Sequence, residues 1–164
     1  MIKIEVNGQQ LEAREGSTII EVADSAGIFI PRFCYHEKLS VAANCRMCLV
    51  EVENAPKALP ACATPVAEGM VVHTVSEKAV AAQQDTMEFL LINHPLDCPI
   101  CDQGGECPLQ DQAVGYGGDA SRYTEGKRTV ESGDIGSLIA TEMTRCIHCT
   151  RCVRFMEEVA GTPS

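Results

Sequence analysis

Residues 1–13 alternate between apolar and polar. Ile2, Ile4 and Val6 fall on one face of an extended chain, with Lys3 and Glu5 on the other. That is the period of a strand with one buried face. Asn7-Gly8 supplies two residues that tolerate positive φ, the signal of a tight hairpin. Leu11 and Ala13 begin a return strand. Thr18 and Glu21 have capping-box spacing, and Ile19, Ile20, Val22, Ala23 and Ala26 predict a short helix that stops at Gly27. Residues 28–48 show no sustained period and read as an extended loop. Leu49 to Glu53 alternates again. Pro56 and Pro60 bracket a turn before Cys62, and Met70 to Val75 reads as a last strand. Hairpin, helix, cysteine loop and two further strands make a compact α+β unit.

Ser76 and Glu77 open a stronger helix. Met87, Leu90 and Leu91 share one face, and His94 continues the stripe. Pro95 disfavours helix at the residue before it, which places the His94 imidazole at the helix end. Residues 95–118 are rich in Cys, Pro, Gly and Asp and have little periodicity. Such a stretch cannot build a core alone, so a ligand must organise it. Residues 119–140 are polar, Gly-punctuated and linker-like. A third cysteine group follows, with helical pattern after it. The expected organisation is a first domain over 1–78, a small helical and loop module over 79–118, a linker over 119–140, and the start of a further domain over 141–164.

Composition sharpens this picture. Ten cysteines in 164 residues mean either a disulfide framework or metal ligation. There is no basic segment followed by a long apolar run at the start, and uncharged stretches fall short of a membrane span. The expected setting is therefore a reducing compartment, with thiolates on metal. A net charge of −10 argues against nucleic acid. With no Trp, four Phe and three Tyr, the cores must be small, and metal groups would act as staples.

The first constellation is Cys34-x10-Cys45-x2-Cys48-x13-Cys62. Four thiolates suit zinc or an iron–sulfur cluster. Zinc sites favour two close pairs, whereas this group has one close pair and two distant singles draped over a small sheet. That is the plant-type 2Fe–2S arrangement in outline, though the familiar first gap is four residues rather than ten. Arg46 and Met47 lie between the close pair, where backbone N–H groups can point at sulfur.

The second constellation is His94-x3-Cys98-x2-Cys101-x5-Cys107. A lone histidine at a helix end is ordinarily solvated. Here it heads a dense cysteine run that has no fourth cysteine nearby, which favours His94 as the fourth ligand of a cluster; a Cys3His zinc site is the metal-level alternative. Gly104-Gly105 would let the backbone approach a cluster and donate N–H groups to it.

The third is Cys146-x2-Cys149-x2-Cys152, the core of a bacterial ferredoxin run that binds 4Fe–4S. Four, three and three use all ten cysteines, so a fourth ligand is expected beyond Ser164, or else the site is incomplete. His36, His73 and His148 read as ordinary side chains. Arg145, Arg151 and Arg154 flank the third group, and either offset cluster charge or form a solvated basic face. No G-x-G-x-x-G follows a strand and no P-loop is present. The expected task is relaying electrons, with no catalytic residue and no NADH site in the chain.

The order of these motifs, with Asp97-Cys-Pro-Ile-Cys-Asp-Gln-Gly-Gly-Glu-Cys107 and Thr144-Arg-Cys-Ile-His-Cys-Thr-Arg-Cys-Val-Arg-Phe155, resembles a family of respiratory NADH:quinone oxidoreductase components, the bacterial G subunit and its mitochondrial 75 kDa equivalent, over essentially the whole chain. The resemblance implies a β-grasp 2Fe–2S domain on Cys34, Cys45, Cys48 and Cys62. It implies a 4Fe–4S cluster on His94, Cys98, Cys101 and Cys107, and a second 4Fe–4S on Cys146, Cys149, Cys152 and one more cysteine. One 2Fe–2S cluster and one or two 4Fe–4S clusters are thus expected. Implied partners are a flavin- and NADH-binding subunit and other subunits of the peripheral arm, on the cytoplasmic face of a bacterial inner membrane, with no span of the chain's own. Ending at Ser164 departs from the family and reads as a fragment. Equivalent modules of NAD-linked hydrogenases, iron-only hydrogenases or formate dehydrogenases are the runner-up. A zinc-stabilised interaction module is the alternative of a different class.

Overall fold

The computed structural model describes residues 1–162. β1 (Ile2–Val6) and β2 (Gln9–Ala13) pair antiparallel, with Ile4 opposite Leu11 and Val6 opposite Gln9. Asn7 and Gly8 turn the chain with φ of 52° and 84°, as the hairpin signal requires. α1 (Ile19–Ser25) buries Ile19, Ile20, Val22 and Ala23 against the sheet. Glu21 reaches back to accept from the Thr18 N–H at 2.7 Å, while the buried Thr18 hydroxyl has no partner. The Glu21 half of the expected box therefore carries the cap.

β3 (Leu49–Val52), β4 (Leu59–Pro60) and β5 (Val71–His73) complete a sheet in the order β2-β1-β5-β3-β4. β1 and β5 run parallel and the other neighbours antiparallel. Ile4, Val6, Ile19, Ile20, Ile30, Val50 and Val72 form the principal core. β4 lies where the two prolines predicted only a turn. Pro60 is tolerated because β4 is the edge strand, where a missing N–H costs nothing to the ladder.

α2 (Glu77–Ile92) starts at Ser76, whose Oγ accepts from the Ala79 N–H at 3.2 Å. Gln83 is buried and donates to the Leu49 carbonyl at 3.2 Å, which pins the helix to the sheet. The stretch expected to lack regular structure contains a single 3-10 turn, Cys98–Ile100, and a helix, α3 (Pro108–Tyr116). Pro108 occupies the first helical position, where its missing N–H and fixed φ are favourable. α4 (Arg151–Glu158) follows the third cysteine group.

Residues 119–140 carry no helix or strand but are tied down. Arg122 pairs with Glu88. Lys127 donates to the Leu91 and Ile92 carbonyls at the end of α2, at 2.7 and 2.9 Å. A second, smaller core of Phe33, Met47, Met87 and Leu109 joins the first cysteine loop, α2 and α3. No described helix is long and apolar enough to cross a membrane.

Candidate metal centres

The first group converges because the long loop returns to the ends of β3 and β4. Ala61 donates its N–H to the Cys48 carbonyl at 2.9 Å, which brings Cys48 and Cys62 side by side. Arg46 has a φ of 61°, a left-handed conformation that folds the chain tightly between Cys45 and Cys48. Cys34, Cys48 and Cys62 are buried and Cys45 is half-buried. The sulfurs are linked in a chain, Cys45 to Cys34, Cys34 to Cys62, and Cys62 to Cys48. Sharing protons with Cys45 and Cys62 pushes the Cys34 thiol well down. The same sharing pushes Cys45 and Cys62 up, and Cys48 is lowered to about 7 by its bond from Cys62. The Cys34 N–H donates to Cys45 Sγ at 3.4 Å, and the Met47 and Phe33 amides also favour a thiolate at Cys45. The four sulfurs are thus strung out in a row; among the described residues no three His, Cys, Asp or Glu side chains surround a single point closely enough to hold one metal ion.

The second group lines one cavity of about 370 Å³. His94, Cys98, Cys101 and Cys107 all face it, with Leu91, Leu109 and Ala113 among its apolar walls and Lys127 closing one side. Burial holds the His94 pKa below its ordinary value, against the opposing pull of Asp97 and with help from Lys127 and Arg145. Burial thus favours the neutral imidazole, the form that ligates metal. A Cβ at Gly104 would lie 2.6 Å from the Cys98 carbonyl oxygen and 3.1 Å from that of Cys101. Only glycine permits this turn. The expectation that Gly104 and Gly105 offer their amides to a cluster is corrected. Gly104 donates to the Cys101 carbonyl at 2.9 Å and Gly105 to Gln110 Oε1 at 3.0 Å, so both amides are spent on shaping the loop.

The third group is more open. Cys146 and Cys152 are exposed and Cys149 is half-buried. His148 and Thr150 take left-handed φ of 55° and 60°, and the His148 N–H donates to Cys146 Sγ at 3.4 Å. His148 thus contributes through its backbone. Cys152 sits in the first turn of α4. The described residues bring no fourth cysteine here. His36 accepts from the Lys38 N–H through Nδ1 at 3.1 Å, and His73 meets Glu53 at 3.0 Å, both away from the cysteines.

The three groups share one support. Cys45, Cys107 and Cys149, one from each, pack against the core of Phe33, Met47, Met87 and Leu109. Polar ties reinforce it. Arg145 holds Asp97, next to Cys98, at 2.7 Å, and Asn44, next to Cys45, donates to the His148 carbonyl at 3.0 Å. Arg151 donates to the Tyr35 carbonyl. Arg154 is 7% exposed and bonds the carbonyls of Cys34, Ser40 and Cys149, so it belongs to no solvated face. The sequence placed these arginines beside the third group only. Their reach to the first group was missed, although Arg151 and Arg154 stand three apart and so share a helix face.

Thiol-rich donor sets, a neutral imidazole in an apolar cavity and close-turning backbone fit iron–sulfur clusters. Three family models match in succession. They are described as "2Fe-2S iron-sulfur cluster binding domain" over residues 1–77, "NADH-ubiquinone oxidoreductase-G iron-sulfur binding region" over 83–122, and "NADH-quinone oxidoreductase subunit 3, ferredoxin-like domain" over 136–164. The chain is 57% identical over 164 residues to the mitochondrial NADH-ubiquinone oxidoreductase 78 kDa subunit of Candida albicans, a match covering 99% of this chain and 23% of that protein. It is 56% identical over 161 residues to the G subunit of NADH-quinone oxidoreductase from Rickettsia felis, covering 98% and 24%. It is 56% identical over 163 residues to the NADH-ubiquinone oxidoreductase 75 kDa subunit of Reclinomonas americana, covering 99% and 24%. The chain therefore spans about a quarter of the length of these relatives. Among solved structures, the crystal structure of an NAD+-reducing [NiFe]-hydrogenase in the H2-reduced state superposes with a TM-score of 0.87 at 27% identity, covering 95% of this chain and 66% of that one.

Proposed function

The chain belongs to the family of the NADH-quinone oxidoreductase G subunit and its 75–78 kDa equivalents, and from that premise we propose that it relays electrons through iron–sulfur clusters between a flavin-bearing, NADH-oxidising partner and quinone. Its first unit is a β-grasp domain holding 2Fe–2S on Cys34, Cys45, Cys48 and Cys62. His94, Cys98, Cys101 and Cys107 hold a 4Fe–4S cluster. Cys146, Cys149 and Cys152 hold a second, with a further ligand. Bound clusters would supply one-electron uptake and release. The protein's own residues bury them, fix their spacing and set their charge environment. Assembly is with the other peripheral-arm subunits of a membrane-bound complex, on the cytoplasmic face of a bacterial inner membrane.

One observation carries the reading: three cysteine groups rest on a single small apolar core. A zinc module needs no such convergence, because each structural zinc site stabilises its own loop locally. A relay does need it, since its centres must lie close together in a rigid frame. The test is anaerobic reconstitution followed by visible absorption, with iron and sulfide counts. Brown protein with both elements is expected. A colourless protein holding zinc would establish the interaction-module alternative. NADH added to the loaded chain alone should leave the clusters oxidised, and rapid bleaching without a flavin-bearing partner would count against a pure relay.

The hydrogenase superposition favours a second reading, the equivalent module of an NAD-linked hydrogenase. Identities of 56–57% to the quinone-linked relatives against 27% to the hydrogenase favour the first.

A further inference from the structure

We infer that Arg154 is a positioning residue shared by the first and third clusters, fixing their separation through the backbone of two ligand cysteines and acting as a buried cation that holds both reduction potentials up. The inference rests on the cluster assignment proposed above.

Every nitrogen of the Arg154 guanidinium is engaged. Nη2 donates to the Cys34 carbonyl at 2.5 Å and to the Cys149 carbonyl at 3.2 Å, Nη1 to the Ser40 carbonyl at 2.5 Å, and Nε to Thr150 Oγ1 at 3.3 Å. One planar, rigid group therefore joins a residue of the first cysteine group to a residue of the third. A guanidinium is suited to this because its donors lie in a fixed fork.

The charge of this group has no ion-pair partner in contact: the nearest carboxylate charge, that of exposed Glu158, acts on it only at a distance and is screened by solvent. All four acceptors are neutral. No carboxylate lies within 4.0 Å of Arg154 among the described residues. Glu158, one turn further along α4, is committed to Ser40, accepting from its N–H at 2.8 Å and from its hydroxyl. The residue also stands in the first turn of α4, which holds no acidic side chain. A cation there lies at the positive end of the helix dipole. Burying a guanidinium in such a place is unfavourable unless negative charge faces it. The thiolates of the first and third groups supply that charge once they hold clusters, and each electron added increases it. Attraction to Arg154 thus grows on reduction of either cluster, which raises both potentials. The second group lies outside this arrangement, its cavity being lined by Lys127 rather than Arg154.

The experiment is a potentiometric titration of the full-length loaded protein, each cluster followed by its paramagnetic signal, in Arg154→Gln and Arg154→Lys. In Arg154→Gln the first and third potentials should both fall, with the second unmoved. In Arg154→Lys the charge remains but one ammonium cannot span three carbonyls. Potentials should stay near wild type while amide exchange quickens around residues 34–45 and 146–152. Unchanged potentials in Arg154→Gln overturn the inference, as does an equal fall of all three clusters. If Arg154→Gln fails to hold its clusters, the lysine variant decides. Potentials near wild type support the inference, and a joint fall with charge retained shows a purely structural role. Iron and sulfide counts on the unaltered protein separate this from the cluster assignment, which fails if the first and third groups hold no cluster at all.

Discussion

His94 stands just beyond the end of α2, at a position where an imidazole is usually solvated, yet it is half-buried in a cavity with three cysteines. Burial holds its pKa below the ordinary value, which favours the neutral form. A neutral ligand in place of a thiolate removes one negative charge from the cluster it binds, which eases reduction. His94→Cys should therefore still hold a cluster but at a potential lower by on the order of 100 mV, a fraction of the gap between two-histidine Rieske and all-cysteine plant-type centres. His94→Ala should leave an open iron and a three-iron species. Redox titration of the second cluster checks both, and an unchanged or raised potential in the cysteine variant refutes the charge argument. Gly104 gives a second residue-level expectation. The added methyl of Gly104→Ala would meet two backbone carbonyls of the Cys98–Cys101 turn, and neither can swing aside as a side chain would. Occupancy of the second cluster should drop sharply while the first is retained. Gly115→Ala is the matched control. It has nothing within 4 Å of the new Cβ, so it should gain up to about 1 kcal/mol of helix propensity and leave iron content unchanged.

At the scale of elements, the arm over residues 119–130 has little apolar anchorage and is held by a few polar ties. Lys127 is the strongest candidate among them, because it donates to two of the last carbonyls of α2, that of Ile92 and that of Leu91, which also accepts from the His94 N–H. Lys127→Met should free the arm and uncover the cavity around His94. Limited proteolysis should then cut between 119 and 130 several-fold faster, whereas equal cleavage rates would mean that the remaining ties, Arg122 to Glu88, Arg128 to Asn93 and Val130 to Thr144, suffice to hold the arm. The same contrast explains what could be read from the sequence. The β1–β2 hairpin, α1 and α2 were legible because strict alternation, Asn7-Gly8, Glu21 and Ser76 all point the same way. β4 was not, since two residues carry no period and Pro60 reads as a breaker unless the strand is known to be an edge. α3 was missed for a related reason. Its buried side chains are Leu109 and Gln112, too few apolar positions to show a helical stripe among the surrounding Cys, Pro and Gly. The candidate ligands were visible as spacing. The arginine, lysine and asparagine ties between the groups were not, because they join residues up to 120 positions apart.

The molecule as a whole has two unequal supports. Residues of the sheet and α1 close a core built mainly of side chains that cannot ligate metal, among them Ile4, Val6, Ile19, Ile20, Ile30, Val50 and Val72, with Cys48 and Cys62 its two thiols. The region from 95 onward rests on Phe33, Met47, Met87 and Leu109, a core too small to offset the conformational entropy of ordering that much chain. Ligation must supply the difference, as it does where a bound metal is the folding energy of a small domain. Removal of iron and sulfide should therefore unfold the protein unevenly. Hydrogen exchange after anaerobic chelation should show β1, β2, β5 and α1 still protected, because their bonds and burial are independent of the sulfurs. Amides over 95–118 and 141–160 should exchange near the unfolded rate. The loop over 28–48 should fall between, since Ile30 and Tyr35 stay in the principal core while the cluster proposed on Cys34, Cys45 and Cys48 is gone. Uniform loss of protection across β1 and β5 would show that the clusters hold up the whole molecule. Full protection of 95–118 without iron would show that the small core suffices, and that the cysteines there are not needed for the fold.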